Sequence, residues 1–356
     1  MKKALCICLI IAAVLLVAGG VCMTVGFFRN GGFPSLSGKE FEEKTLTFPK
    51  ETKEIRTDLG VQDILVRPGE DDEIRVRWFE AENEPLHVAS SDGVVSVTNP
   101  EKNGFHFFWD WFWYKEKKLL VTIELPAEFA GSLTLVTDIG NIEVLAVQVP
   151  GGGLTVRVST GSVKIADCAF ASAEIRATTG GTELENVTVG AREGTTGSLR
   201  IAAETGVILC RNVAAKDTEL SASTGKTETE NLSCTAFSSV TSTGEQSHTR
   251  LTASGDAEIR VTTGVVETDT LTAGGALRVT STTGSQSLHG IRAGVSIWLE
   301  ATTGSIRGSL RGTENYYAKD CSSGTGNVRL PQFAAGGTVP LTARTTTGSI
   351  RLDAAD

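Results

Sequence analysis

The side chains best able to do chemistry stand in pairs two residues apart: Glu183 and Glu185, Glu228 and Glu230, Glu267 and Asp269. Carboxylates at that spacing share one face of a strand, where they could hold a divalent cation or divide general-acid and general-base work. The series is interrupted by Leu209 and Ser247 at the equivalent positions, which leaves a solvated acidic stripe rather than a ligand set. His248 has no second histidine, cysteine or carboxylate at ligand spacing, so an ordinary hydrogen-bonded core histidine is expected. Of the seven cysteines, Cys6, Cys8 and Cys22 lie in an apolar N-terminal run, and Cys168, Cys210, Cys234 and Cys321 are scattered without a Cys-x-x-Cys pair. Isolated buried thiols fit that pattern. No catalytic residue, metal site or cofactor is expected.

Two other groups are suited to binding. Residues 105–114 read FHFFWDWFWY, and Phe105, Phe107, Phe108, Trp109, Trp111, Phe112, Trp113 and Tyr114 concentrate aromatics as no other segment does. As a strand, both faces would be too apolar for open water. A protruding loop or hairpin is expected, either folded down over the neighbouring core, meeting a protein partner, or entering the membrane interface. Trp298 stands on the outward parity between Ile297 and Leu299, with Arg278 in the same column one repeat earlier. That pair makes a cation-π contact or a stacking platform for a sugar or aromatic ligand.

The elements that must position these groups are short and repeated. A Thr-Gly signal recurs at Gly140, Gly161, Gly180, Gly206, Gly225, Gly244, Gly264, Gly284, Gly304, Gly326 and Gly348, at spacings of 19 to 22 residues apart from one of 26. Such fixed periods indicate a solenoid, in which each repeat buries its face against its neighbours. With each glycine as zero, positions -7, -5 and -3 are apolar or small, as in Ala257, Ile259 and Val261, with Arg260 between the last two. Positions +2 and +4 continue the alternation, as in Ile350 and Leu352, and +7 is apolar or small in every repeat except one, which has Arg311. Period two means strands with one buried face. The pattern therefore predicts an all-β fold: a single-stranded parallel β-solenoid with equivalent positions stacked about 4.8 Å apart. The register glycine is expected to turn the corner at positive φ. Position -1 is threonine in ten of eleven repeats. Continued alternation would point it inward as a hydrogen-bonded ladder. Between Gly225 and Gly264 the inward positions are Thr227, Thr229, Gln246 and His248, the stretch expected to be least stable.

Residues 39–130 are strand-like but less regular and are expected to form an N-terminal β cap carrying the aromatic insertion, ahead of a solenoid over 131–356. Residues 30–38 (NGGFPSLSG) read as a flexible tether. The run from Ala4 to Phe28 is uncharged and long enough for a tilted transmembrane helix, so residues 1–29 are expected to be an anchor. A cleaved signal peptide is the alternative, and a lipoprotein is disfavoured because Val21 and Leu5, not small residues, precede Cys22 and Cys6. Lys2 and Lys3 before the run, against Arg29 after it, place the C-terminal domain outside the cell membrane. The net charge is -9, and setting aside those three cations leaves -12 on the remainder, which argues against nucleic acid.

Three features, TDLGVQDILVRPGEDDEIRV, the pair VTIELP and LTLVTDIGNIEV, and the recurrent TTGSI and TTGSL strings, resemble a bacterial family of repeated β-strand proteins known as putative adhesins. The resemblance spans about residues 45–352 and implies a surface β-solenoid of unassigned biochemical function, with roles in adhesion or envelope-stress signalling. It implies no catalytic residue. Enzymatic β-helices fit poorly: hexapeptide acyltransferases have another period, outward charges are not clustered as in pectin-cleaving enzymes, and GGxGxD calcium turns are absent. Two functions stay open. One is a membrane-anchored binding or adhesion module facing a surface glycan or neighbouring cell. The other is an envelope-stress sensor or scaffold that engages another envelope protein through its cap. The chain stops eight residues after Gly348, and an open edge there would invite end-to-end self-association.

Overall fold

The computed structural model describes residues 41–81, 85–99, 119–190, 197–312, 317–333 and 337–355. The N-terminal strands are β1 (Phe41–Pro49), β2 (Glu54–Asp58), β3 (Asp63–Pro68), β4 (Glu73–Ala81), β5 (His87–Ser91), β6 (Val94–Thr98), β7 (Leu120–Leu125), β8 (Ser132–Ile139) and β9 (Ile142–Leu145). The repeats follow as β10 (Gln148–Thr160), β11 (Val163–Ala166), β12 (Ala169–Thr179), β13 (Thr182–Val189), β14 (Ser198–Ala214), β15 (Asp217–Cys234), β16 (Ala236–Ala253), β17 (Ala257–Ala273), β18 (Ala276–Thr283), β19 (Gln286–Ala293), β20 (Ser296–Thr303) and β21 (Ile306–Arg311). The chain closes with β22 (Tyr317–Ser323), β23 (Val328–Arg329), β24 (Val339–Thr347) and β25 (Ile350–Ala355). Every described element is a strand, and the repeats pair in parallel with matching register, Gly206 with Gly225, Gly225 with Gly244 and Gly244 with Gly264. The chain is a parallel β-solenoid.

Its interior follows the alternation. In the Gly264 rung Ala257, Ile259, Val261, Val266, Leu271 and Ala273 are buried, and the same columns supply the core of each neighbour. Two corners interrupt the alternation. At the first, ten of the eleven register glycines have φ between 138 and 154°, Gly326 being the exception. The corner is also sterically closed: a Cβ on Gly264 would lie 1.6 Å from the carbonyl oxygen of Gly244 one rung below. At the second, position +6 takes a left-handed conformation in eight rungs, with φ of 53 to 64° at Ala146, Asp167, Asn186, Asn212, Asn231, Arg250, Thr270 and Gly290. Asparagine tolerates that region better than most residues. Here it also stacks: Asn186 donates to Asp167 (2.8 Å), Asn212 to Asn186 (3.0 Å) and Asn231 to Asn212 (2.8 Å).

The threonine column is a correction. Thr160, Thr179, Thr205, Thr224, Thr243, Thr263, Thr283, Thr303 and Thr347 are exposed, not inward. Positions -3 and +2 both face the core and lie five residues apart, so strict alternation cannot pass between them. The chain places -2 and -1 outward together before the glycine turns. Arg311 has a local cause. The register between β19 and β21 shifts so that Leu310 pairs with Ile291 and fills the apolar site one residue early. Arg311 then faces out, its guanidinium donating to the Gly290 carbonyl (2.9 Å) and to Thr272 Oγ1 (2.5 Å).

Both ends of the stack depart from chain order. At the N-terminal end β2 lies between β6 and β8, and β3 between β7 and β9, so the outermost rung is β6 with β7. Antiparallel strands cover that rung, β5 on β6, β4 on β7 and β1 on β4. Glu124 of β7 is buried there and bound by Arg67 (2.7 Å), Arg75 (3.3 Å) and Arg77 (3.4 Å). Burial opposes its charge, but the Arg67 hydrogen bond and the three guanidiniums outweigh that and hold its carboxyl below the usual range. At the C-terminal end β24 lies between β20 and β22, and β25 between β21 and β23. The free edge is therefore not at residues 348–356, as the sequence suggested. It belongs to β22 and β23, where Val328 and Leu330 are not buried.

Candidate functional site

Outward positions -8 and -6 change size sharply along the middle of the solenoid. The Gly244 rung has Ala236 and Ser238 there, while the rung below has Asp217 and Glu219 and the rung above Asp256 and Glu258. Small side chains between two taller rungs leave an open slot of about 1040 Å³, whose lining also includes Arg200, Arg260 and Arg278. Its floor spans two rung spacings, about 10 Å. Each wall carries a carboxylate paired with arginine. Arg200 reaches Glu219 Oε2 (3.3 Å), and Arg260 (2.5 Å) and Arg278 (3.9 Å) both reach Glu258 Oε1. The slot was not foreseen; the signal lay in comparing outward residues between rungs rather than within them.

Trp298 continues this surface. The guanidiniums of Arg278 and Arg344, from the rungs on either side, each lie 5.4 Å from its ring centroid. Its Nε1 donates to Glu300 (3.1 Å), and Arg344 also reaches Asp320 (2.7 Å). The expected cation-π contact with Arg278 is thus one half of a two-sided clamp. A ligand stacking on the indole would share its faces with these arginines.

The other sequence candidates are distributed. Glu183 and Glu230 are joined through Arg211 (2.9 and 3.9 Å), Arg250 also reaches Glu230 (2.8 Å), and Lys226 bridges Glu228 (3.3 Å) and Glu245 (3.2 Å). Glu183, Glu228 and Glu230 thus belong to mixed ion-pair networks, and among the described residues no group of His, Cys, Asp and Glu could hold a metal. His248 is fully buried, its Nδ1 2.9 Å from Thr229 Oγ1 and its Nε2 3.1 Å from Gln246 Oε1, and Phe237 meets it edge to face at 5.3 Å. Burial pushes its pKa down to about 3, so it is a neutral core residue. Cys168, Cys210 and Cys234 are buried, and Cys321 is half-buried. The aromatic run at 105–114 and the anchor and tether at 1–38 lie outside the described residues.

Comparison with known proteins adds to this geometry. The Toastrack DUF4097 family matches residues 52–204 and again 192–351. The chain belongs to the Toastrack DUF4097 family. The two Toastrack stretches meet at 192–204, where the spacing between register glycines widens to 26. Curated proteins return no match. Among solved structures, the Toastrack chain is similar to a putative cell adhesion protein from Clostridium sporogenes, at 9% identity and a TM-score of 0.22, covering 89% of this chain and 100% of that one. It is also similar to a putative adhesin from Bacteroides fragilis, at 13% identity and a TM-score of 0.30, covering 88% and 98%.

Proposed function

We propose that the chain is a membrane-anchored, extracytoplasmic binding or adhesion module that carries out no catalysis. The observation that carries this reading is the open slot on the outer sheet, walled by braced carboxylates and guanidiniums, within a rigid array of parallel rungs. Rigid scaffolds that present side chains at fixed spacing suit recognition of extended partners. The uncharged run from Ala4 to Phe28, followed by the start of β1 at Phe41, supports anchoring with the capped end toward the membrane and the slot away from it.

A second reading, an envelope-stress sensor or scaffold, is favoured by one feature of the cap. In the sequence the aromatic run stands between β6 and β7, the two strands of the outermost rung. Trp109, Trp111 and Trp113 would then contact an envelope protein or the membrane surface. Full-length chain displayed on cells, with either Ser238→Trp in the slot or all three tryptophans changed to Ser, separates the two. An adhesion module loses attachment to neighbouring cells with the slot variant and keeps it with the cap variant. A sensor keeps attachment unchanged in both, and its crosslinks to envelope proteins in intact membranes disappear with the cap variant.

A further inference from the structure

We propose that the slot over Ala236 and Ser238 binds a neutral, hydroxyl-rich glycan chain, an assignment that rests on the binding-module reading. Three observations define the ligand. The first is charge. Four carboxylates and three guanidiniums line the slot, and Glu219 and Glu258 on opposite walls are each paired with arginine, so the charges nearly balance and neither an anionic polymer nor a polycation meets a surface of uniform opposite charge.

The second is hydrogen-bonding capacity. Arg200 reaches Oε2 of Glu219, and Arg260 and Arg278 reach Oε1 of Glu258. A carboxylate has about four acceptor sites, more than these contacts use, so each wall can also accept from a hydroxyl, and the guanidiniums beside them have further N–H groups to donate. A sugar hydroxyl both donates and accepts, so it can use both kinds of group at once. The arginine braces hold the acceptors in place before the ligand arrives, which lowers the ordering cost of binding. Apolar patches from Ala236 and Ala276 complement the C–H faces of sugar rings.

The third is size and openness. At about 1040 Å³ the slot is at the upper limit of ordinary small-molecule sites, and it is open to solvent, so it suits a segment of a chain that continues beyond it. Arg278 forms part of the lining and also packs on Trp298, which makes the indole a reporter of occupancy.

The test uses full-length protein with cellohexaose, chitohexaose and mannohexaose, followed by calorimetry and by the fluorescence difference between wild type and Trp298→Phe. At least one hexaose should bind saturably, with affinity little changed by added salt. Ser238→Trp, at an outward position, should weaken it about tenfold or more, and so should Glu219→Gln combined with Glu258→Gln, which keeps side-chain shape should the tryptophan variant misfold. Binding of no hexaose, equal binding by both variants, or salt-sensitive binding of oligolysine in its place would each overturn the assignment. Cell attachment distinguishes the two levels. If wild type and Ser238→Trp attach to cells equally, the slot is wrong and the module reading stands; if a hexaose binds in the slot but no cell is bound, the glycan site stands and adhesion falls.

Discussion

Lys319 stands opposite Leu341 in the register of β22 and β24. Leu341 is buried in an inward column, whereas Lys319, in the same column one rung further out, is exposed, with its Nζ 5.9 Å from the Phe333 ring centroid. A charged residue on the core side of a terminal strand blocks the addition of another strand, because pairing would bury it. Short β23 and Pro331 reinforce the effect. Self-association through this end is therefore expected only once the lysine is removed. Lys319→Leu should shift sedimentation from monomer toward an end-to-end dimer, and wild type at equal concentration should not; dimerisation of both to the same extent would show that the lysine is no barrier.

Gly264 provides a test of the first corner. Gly264→Ala combines a φ of 143° with a Cβ 1.6 Å from the Gly244 carbonyl oxygen, and should cost about 3 kcal/mol or more. Gly181→Ala is the control, since its nearest neighbour would be Val207 O at 4.0 Å; it should stay within about 0.5 kcal/mol. Chemical denaturation of the two variants side by side measures the difference.

His248 makes stability depend on pH in a defined direction. Its pKa falls from 6.5 to about 3 on folding through burial, so between those values the unfolded chain binds the extra proton. The stabilisation is complete above about pH 6.5 and is lost as pH falls toward 3, amounting to about 5 kcal/mol at most. His248→Thr matches Thr229 and Thr268, its register partners on either side. Urea midpoints recorded from neutral to acid pH should slope less steeply in this variant; parallel slopes would mean that His248 is not the group responsible.

The cysteines should react in a fixed order. Burial pushes the thiols of Cys210 and Cys234 up to about 12 and that of Cys168 up to about 11, and the thiolate is the reactive form. Cys321 is raised too but is only half-buried. Among these four, brief native alkylation followed by peptide mass mapping should label Cys321 first, and urea should make all four equivalent.

The period, the parallel pairing and the inward columns were legible because burial repeats at the same positions in every rung. The threonine orientation was not, since alternation was carried through a corner that breaks it. Chemistry offered a hint: -1 is threonine in every repeat but the first, which has Ile139, while the inward columns around it are mostly apolar. Asn186, Asn212, Asn231 and Gly290 at one position likewise marked the left-handed corner. The slot escaped because it arises from side chains that are small relative to the next rung, a relation that no single repeat displays. The order of rungs at the ends was not read either, although Lys319 in the inward column of β22, where β24 has Leu341, marks β22 as the outer strand.

That order at the ends limits how such a protein can change length. At one end β2 with β3, which precede β6 and β7 in the chain, form an inner layer, and at the other β24 with β25 are slipped beneath β22 and β23, which precede them. A repeat appended after β25 would emerge from inside the stack, against a surface already occupied by β22 and β23. Insertion or removal of a whole repeat should therefore be accommodated best between the two crossed ends, from β10 to β19, where the rungs stack in chain order.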